Sequence, residues 1–425
     1  MHWTPDASSA RAALTDFVPR AGTAYTRRRN YDLGPDDRAN VSGLSPWLRH
    51  RLLLEEDVLA AVLREHDLSS AQTFVHEVFW RTYFKGWLEH RPGVWLQYVC
   101  DLEDLGEQLA EDRALRERWI QARAGRTGID AFDAWAVELR DTGYLHNHAR
   151  MWFASIWVFT LQLPWQLGAA HFHHHLLDAD PASNTLSWRW VAGLHTRGKH
   201  YLARPDNIAK YTEGRFAPGA VLDTAAPALE EEEPLPMIQP IEPADEAPSD
   251  RRHGLLLTVD DACAASLPLA DAPSVIATLD AANHTAIGTT ADADALPIVG
   301  GVPVRDARAS AFARGALVDA RDRAAVHFDL RGEPSASFDA ADPMWIDRVI
   351  AWAREAALET VVTAWAPVGP TATALDELAV ALRREGLELR RVRRAYDTLA
   401  WPHATKGFFR LKKKIPGILR ALGLR

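Results

Sequence analysis

Cysteine is scarce in this chain, and long apolar runs are missing. The 425 residues include only two cysteines, Cys100 and Cys263, whereas an iron–sulfur cluster or a four-thiolate zinc site needs four thiolates. We expect both cysteines to be buried small hydrophobes. No stretch of about 18 uncharged apolar residues occurs, so the sequence predicts no membrane span. The N-terminus lacks a basic-then-apolar signal pattern, which predicts a cytoplasmic protein.

Basic charge is also in short supply, since the formal net charge is −9. This balance argues against a general polyanion binder, although a local basic face remains compatible with it. The last 22 residues, ATKGFFRLKKKIPGILRALGLR, hold seven basic residues and no acidic ones. Two interpretations stay open: a solvated helix or tail that docks on acidic residues, or a contact with nucleic acid or a membrane surface.

The chain divides into three regions by composition. Residues 1–216 read as an all-helical domain. Residues 217–252 form a Pro/Glu-rich linker, since 217–249 contain seven prolines and a run of four glutamates. Residues 253–425 alternate strand and helix patterns, which predicts a parallel, Rossmann-like α/β domain with a basic C-terminal tail. The predicted fold class is therefore multidomain, α followed by α/β.

Hydrophobic periodicity predicts individual elements in both domains. In the first, we expect helices over about 70–90, 130–142 and 147–163, with Gly143 capping the second and Pro164 stopping the third. In the second, helices are predicted over 346–358 and 373–385, the latter opened by a capping box from Thr373 to Asp376. The predicted strands are HGLLLTVDD, PSVIATLD, AAVHFDL, ETVVTAWAP and LELRRVRRAYD.

Polar side chains of unusual kinds recur within the apolar helices. The 70–90 helix puts Glu77, Trp80, Arg81 and Phe84 on one face, at i, i+3, i+4 and i+7. Burying a carboxylate and a guanidinium is costly unless both are satisfied, so this face is either a paired core ion pair or a ligand site. Two later segments, TGYLHNHARMW and LLDADPASNTLSWRWVAG, are equally dense in polar and aromatic residues.

The order of these segments is more specific than any one of them. VSGLSPWLRH, HEVFWRTYF, GRTGIDAFDAW, TGYLHNHARM and LLDADPASNTLSWRWVAG follow one another over some 150 residues. This series resembles the photolyase/cryptochrome family. The resemblance implies that an all-helical domain binds a bent flavin adenine dinucleotide (FAD) and that the flavin supplies the redox chemistry.

The resemblance also implies roles for individual residues. The Ser42 and Ser45 positions would bind the flavin diphosphate with help from a helix N-terminus, and Asn184 would face flavin N5. The positions expected to bind FAD are Ser42, Ser45, Arg81, Arg150, Asp178, Asp180 and Asn184. Those expected to bind a flipped-out pyrimidine dimer are Glu77, Trp80, Asn147, Met151 and Trp190. Trp188 and Trp165 match two members of the tryptophan chain that carries electrons to the flavin. The third matching position is Ala122, and Trp119, one helical turn earlier, is expected to substitute for it.

These positions predict light-dependent repair of damaged DNA, by electron transfer from reduced FAD to a cyclobutane dimer. Asn147 and Met151 favour this lesion, because the branch that repairs (6-4) photoproducts has histidines there. A blue-light receptor like a cryptochrome is the alternative, and a scaffold that has lost flavin is a third. The oligomeric state stays open.

The sequence departs from the family pattern in several places. Gly43 stands where an arginine usually follows the first serine. The flavin domain is expected to start almost at Met1, where family members usually have an α/β antenna domain first. We expect 253–425 to be a rearranged or substitute domain of that type at the other end. His171 and His175 have the spacing of helical zinc ligands. No glutamate follows His171, and no metal site is predicted.

Overall fold

A computed structural model describes residues 2–231, 234–249, 252–281, 295–330 and 335–424. Its first half is helical. The helices are α1 (Ala7–Phe17), α2 (Thr23–Arg28), α3 (Ser45–Arg49), α4 (Glu55–Glu65), α5 (Leu68–Glu89), α6 (Gly93–Glu111), α7 (Arg113–Ala124), α8 (Asp130–Thr142), α9 (Asn147–Ser155), α10 (Trp165–His175), α11 (Pro181–Ala192) and α12 (Pro205–Tyr211).

The helix ends follow from local chemistry. Helix α8 stops at Gly143, whose φ of 68° only glycine adopts without strain, so the predicted helix over 130–142 is confirmed. Helix α5 confirms the prediction for 70–90. The third predicted helix is shorter than expected, because α9 gives way at Ile156 to a single π-helical turn that ends at Thr160. The chain then turns through Gln162 at a φ of 51°.

The second half is an α/β domain. Its strands are β1 (His253–Thr258), β2 (Val275–Asp280), β3 (Ile298–Val299), β4 (Val302–Pro303), β5 (Ala336–Asp339), β6 (Thr360–Ala364) and β7 (Glu388–Val392). Its helices are α13 (Ala307–His327), α14 (Trp345–Glu355), α15 (Pro370–Arg384), α16 (Ala395–Ala400), α17 (Phe409–Lys412) and α18 (Ile415–Ala421). Five strands pair in parallel in the order β5-β2-β1-β6-β7, which confirms the predicted parallel α/β fold.

Both faces of this sheet are covered, which explains the continuous apolar runs of its central strands. Every residue of β1 and β6 is buried. Leu256 packs in the core formed with α14 and α15, whereas its neighbours Leu255 and Leu257 belong to the core that includes the helical domain. The sheet is therefore packed on one side by α14 and α15 and on the other by α13 and the helical domain.

Three local predictions were wrong. The segment AAVHFDL was predicted as a strand, but it largely continues α13, which runs unbroken from Ala307. Helix α15 begins at Pro370 after Gly369, and the Thr373 hydroxyl donates to the Gly369 carbonyl, so no capping box opens it. Cys100 is exposed on α6 and Cys263 is half-buried in the turn after β1, so neither is a buried small hydrophobe.

Buried ion pairs join the two domains. The Arg51 guanidinium donates to Asp397 at 2.6 Å and to Asp261 at 3.2 Å, and lies 3.4 Å from Glu55. Arg394 donates to both oxygens of Asp261, at 2.7 and 2.8 Å. All five side chains are almost fully buried. Removing one of these side chains would leave a buried charge without its partner, which is strongly destabilising.

Helical residues fill the edge where open α/β sheets usually bind ligands. That edge is the crevice at the carboxyl ends of the strands where the strand order reverses, here between β1 and β6. Arg49 donates to Asp260 just after β1 at 2.6 Å. Glu89, at the end of α5, accepts from the Val368 amide and the Trp365 indole after β6, at 2.8 and 3.2 Å. The crevice therefore serves domain docking.

The segment 217–249 runs across both domains as an extended strap. The Gln239 amide donates to the His90 carbonyl, the Asp245 amide donates to the Arg391 carbonyl, and Glu231 pairs with Arg189. Among the described residues, no helix is long and apolar enough to cross a bilayer.

Gly86 tests the contact between α5 and the second domain. A Cβ at Gly86 would lie 2.8 Å from the Trp401 Cα, so we expect Gly86→Ala to lower the free energy of unfolding by about 1–3 kcal/mol. Gly106→Ala is the matched control, since its Cβ would meet nothing nearer than 3.7 Å and should stabilise α6 by up to about 1 kcal/mol. Urea unfolding compares the two, and equal stabilities would contradict the packing.

Glu89 should make stability depend on pH. Burial raises the pKa of Glu89 from 4.5 to about 7, against the hydrogen bonds from Val368 and Trp365. Between these values the folded protein holds a proton that the unfolded chain has released, so the free energy of unfolding falls as pH rises through that window. We expect Glu89→Gln to remove this slope, as measured by urea unfolding at about pH 5 and about pH 8. Parallel slopes for both proteins would refute it.

Candidate flavin site

Three helices meet around the polar residues singled out in the sequence. Helix α11 packs against both α5 and α9. Each contributes part of the pattern: Arg81 comes from α5, Arg150 from α9, and Asn184 from α11. Asp178 and Asp180 lie in the short turn between α10 and α11, where the Asp180 carboxylate caps α11 by accepting from the Ser183 amide at 2.8 Å.

Asp178 is the best-partnered carboxylate of this group. Arg150 donates to both its oxygens at 3.1 Å and also to the Leu145 carbonyl at 2.8 Å, which fixes the guanidinium plane. Ser45 hydrogen-bonds the same carboxylate. Burial opposes ionisation of Asp178, but Arg150 and Arg81 outweigh it and hold its pKa below the ordinary value.

Asp180 is surrounded by cations at slightly longer range. Lys85 Nζ lies 3.6 Å and Arg81 Nη1 3.9 Å from its carboxylate. Burial is again outweighed, by Lys85, Arg49 and Arg81, and the pKa of Asp180 is well below its usual range. Lys85 is 1% exposed. We call the two carboxylates and the side chains around them the flavin cluster, which consists of Ser45, Arg81, Lys85, Arg150, Asp178 and Asp180.

Polar groups without partners point to a ligand of this cluster. The buried atoms Arg81 Nη1 and Lys85 Nζ have no hydrogen-bond acceptor, which is unusual for buried cationic donors. Asn184, one turn beyond Asp180, uses its amide nitrogen on the Ala169 carbonyl at 2.7 Å. The donor set thus fits an anionic, planar ligand, and FAD has a diphosphate and a flat ring with hydrogen-bonding edges.

Similarity to known proteins agrees with this chemistry. Residues 74–217 match the family described as the FAD binding domain of DNA photolyase. This matched part of the chain is a photolyase-type domain, and the same half of the chain is similar to curated photolyases and cryptochromes. FAD is accordingly the cofactor of this photolyase-type domain, and the residues that would hold it are Ser42, Ser45, Arg81, Arg150, Asp178, Asp180 and Asn184.

Curated relatives include both branches of the family. A deoxyribodipyrimidine photo-lyase of Vibrio cholerae is 28% identical over 205 residues, 47% of this chain and 42% of the relative. A cryptochrome DASH of Idiomarina loihiensis is 30% identical over 217 residues, 49% of this chain and 46% of the relative. The chain thus spans less than half the length of these relatives. A solved class III photolyase from Agrobacterium tumefaciens matches with a TM-score of 0.43 and 28% identity, covering 50% of this chain and 43% of that one.

The diphosphate end of the site differs from the sequence expectation. Helix α3 has five residues, so its dipole adds little to anion binding. Ser42 Oγ accepts from the Leu44 amide at 3.4 Å across Gly43, whose φ is +60°. Ser45 meets Asp178 directly, so it is shared between the carboxylate and the flavin that it is proposed to bind.

The residues expected to bind a lesion share these helices but have other partners. Glu77 forms an ion pair with Arg29. Trp80 stacks on Phe408 with ring centroids 4.0 Å apart, and Trp190 stacks on Tyr201 with ring centroids 6.1 Å apart. Asn147 is exposed at the start of α9, one turn before the half-buried Met151. Hydrogen bonds and ring contacts between described residues do not join these five into one cluster.

The expected tryptophan series is not a chain of ring contacts. Trp188 packs edge-on against Trp157 at 6.1 Å, whereas Trp165 stacks on Tyr98 at 5.5 Å. The Arg123 guanidinium lies over the Trp119 ring, 4.4 Å from its centroid. Among the described rings, none of the contacts joins Trp188, Trp165 and Trp119, and their role in electron transfer remains a prediction.

Sequence reasoning missed Lys85 and Phe408. Lys85 had a signal, since it follows Arg81 by four residues on the same helix face. Phe408 had none, because its contact with Trp80 joins segments more than 300 residues apart. Within the described ranges no group of three metal-ligating side chains occurs. His171 instead stacks on Trp157, and His175 bonds Asp306 at 2.9 Å.

Asp180 tests the cluster. We expect Asp180→Asn to lower the free energy of unfolding by about 3 kcal/mol, because Lys85 and Arg81 lose their countercharge while the oxygen that caps α11 remains. Bound FAD per protein should fall as well. Glu117→Gln, at an exposed ion pair, is the control and should change neither value. Chemical unfolding and flavin absorbance give the two readouts, and an unaltered Asp180→Asn protein would contradict the cluster.

Proposed function

We propose that this protein repairs DNA in a light-dependent reaction, with a cyclobutane pyrimidine dimer as substrate. Reduced FAD supplies the electron when it absorbs blue light. The protein's own residues bind the lesion, exclude water and hold the groups that bond its carbonyl oxygens. Curated photolyases and cryptochromes both have this domain, so similarity does not distinguish repair from light reception. The distinction has to come from the side chains beside the flavin cluster.

The observation that carries the proposal is the spacing on α5. Glu77 and Trp80 precede Arg81 by four residues and one residue, and all three are only half-buried. One helical turn rises about 5.4 Å, so the carboxyl and the indole lie within about one turn of the flavin cluster. A base bound against Trp80 would therefore be close to a flavin bound at Arg81.

Glu77 is suited to donate a hydrogen bond to a lesion. Although 30% of its side chain is accessible, burial of the carboxyl raises its pKa, and Arg29 only partly opposes this. A raised pKa increases the share of protonated Glu77, whose O–H can bond a pyrimidine carbonyl. The pair with Arg29 also fixes the direction of the side chain.

Trp80 is suited to support a base. Phe408 stacks on the indole with an interplanar angle of 12°, and Tyr83 and Phe84 pack against the same ring with centroids 5.4 and 5.5 Å away. The Trp80 side chain is still only half-buried, which leaves part of it for a base. Aromatic stacking of an extruded base contributes about 1–3 kcal/mol per base. Met151 and Trp190, both half-buried, would form the other walls, and Asn147 would bond a base edge at the rim.

A second candidate function is a blue-light receptor without repair. The observation that favours it is that Glu77 and Trp80 already have partners, Arg29 and Phe408. A receptor needs the flavin cluster but no open lesion pocket. If illumination changes oligomeric state or partner binding while dimers stay intact, the receptor is the better description.

The repair proposal predicts the behaviour of Glu77→Ala. Loss of a buried hydrogen bond to the substrate should lower the rate of dimer splitting about tenfold to a hundredfold, with FAD content unchanged. The assay follows dimer loss in an oligonucleotide mixed with reduced, FAD-loaded full-length protein under blue light.

Glu65→Gln, exposed at the end of α4, is the control and should repair at the wild-type rate. Intact dimers after prolonged illumination of the wild-type protein would overturn the repair function. A Glu77→Ala protein as active as the wild type would instead remove Glu77 from the site.

A further inference from the structure

A basic segment, residues 404–424, lies against the helix that carries Glu77 and Trp80. It contains six lysines and arginines and no aspartate or glutamate, in a chain whose net charge is −9. The cations are Lys406, Arg410, Lys412, Lys413, Lys414 and Arg420. Such a local concentration of one sign in an acidic protein attracts polyanions to one place on its surface.

The segment is firmly packed rather than loose. Phe408, Leu411, Ile415 and Leu419 are buried and belong to the same apolar core as the helical domain. Phe408 supplies the stack on Trp80, and the Arg91 guanidinium donates to the Thr405 carbonyl at 2.8 Å. The cations are therefore presented from a fixed surface, which lowers the conformational entropy lost when a ligand binds.

The cations face solvent and lack carboxylate partners. Lys406, Arg410, Lys413, Lys414 and Arg420 are exposed. Across the described parts of the chain, none of them forms a salt bridge with an acidic side chain. The exposed Arg113, by contrast, pairs with Glu117 at 2.7 Å. An array of unpaired cations on a rigid surface is suited to successive phosphates.

Neighbouring histidines locate these charges relative to the candidate pocket. Burial, followed by Lys412 and Arg29, lowers the pKa of His76 to about 4. The His76 ring also packs edge-on against Phe408 with ring centroids 6.1 Å apart. Because His76 directly precedes Glu77, the basic segment lies beside the residues proposed to bind the lesion. Burial, Lys414 and Arg410 likewise lower the pKa of His403. The basic surface thus begins beside the pocket and extends away from it along the segment.

The kind of partner follows from the side chains that remain exposed. A helix that binds a membrane inserts its apolar face, but here that face is already buried in the protein core. Phe409 is the exception, 75% exposed among the cations. Exposed aromatic rings among cations are the usual surface for single-stranded nucleic acid, where bases stack and phosphates pair.

We propose that residues 404–424 bind the DNA strand that leads into the lesion pocket, with Lys406, Arg410, Lys413 and Lys414 on its phosphates and Phe409 on a base. This extends the proposed repair function by assigning the surface that holds the substrate's backbone. DNA affinity and repair are measured separately, so the two proposals fail independently.

A charge reversal on this surface tests the inference. Lys413→Glu/Lys414→Glu is compared with Arg383→Glu/Arg384→Glu, a matched reversal at exposed residues of α15. The probe is an undamaged, fluorescent, single-stranded deoxyoligonucleotide, titrated in the dark with FAD-loaded full-length protein over a series of salt concentrations. Loss of two phosphate contacts should reduce the slope of log affinity against log salt by about 1.4. The control should keep the wild-type slope.

Phe409→Ala provides a second variant, because this exposed side chain can be removed without disturbing the core. We expect about fivefold weaker binding or more, with the salt slope unchanged. Wild-type affinity and slope in both variants would overturn the inference, and so would an equal loss in the α15 control. Loss of binding in the Lys413/Lys414 variant with no repair by the wild type would uphold the surface and reject the repair function.

Anionic lipid is tested in the same proteins. Vesicles that contain phosphatidylserine should bind the wild type no better than neutral vesicles, because the apolar face of the segment is unavailable. If the vesicles compete with the oligonucleotide and the Lys413/Lys414 reversal abolishes only vesicle binding, the segment is a membrane contact and the DNA assignment is wrong.

Discussion

The neutralisation of two buried carboxylates, Asp178 and Asp180, determines how this protein is assembled. Each needs cations within a few ångströms, since an uncompensated charge in a packed interior is strongly destabilising. The cations come from α5 and α9, which fixes those helices around the turn that begins α11. Arg49 extends the same set of charges to Asp260 in the second domain. One electrostatic requirement thus shapes the flavin cluster and contributes to domain docking.

The α/β domain docks against the helical domain through the sheet edge that usually binds a ligand in this fold. Sheets of this topology usually bind ligands at the carboxyl edge where strand order reverses. Here Arg49 and Glu89 of the helical half reach into that edge, while the segment after α16 packs on α5. The domain therefore contributes to the candidate pocket through Phe408, beyond its own sheet. Its main sheet is parallel, and the expectation that the region is a rearranged or substitute antenna-type domain stays a prediction.

Sequence patterns predicted what depends on neighbours along the chain. Gly143 ends α8, and helical spacing placed Arg81 on one face of α5 with Glu77 and Trp80. Lys85, one turn further along α5, was missed although the same spacing could have indicated it. Contacts between distant segments could not be read in this way. AAVHFDL has the alternation of a strand, but its first four residues are the last turn of the long helix α13. The family resemblance predicted an electron-transfer series of Trp188, Trp165 and Trp119, whereas their rings pack against Trp157, Tyr98 and Arg123 respectively.

The absorption spectrum of the gently purified full-length protein, before and after blue illumination with an external electron donor, tests the flavin cluster most directly. A cluster with free donors at Arg81 and Lys85 predicts one bound FAD per chain, whose oxidised absorption bands bleach under light and return in air. A colourless protein that takes up no FAD on reconstitution would show that these buried charges serve only to hold the fold together.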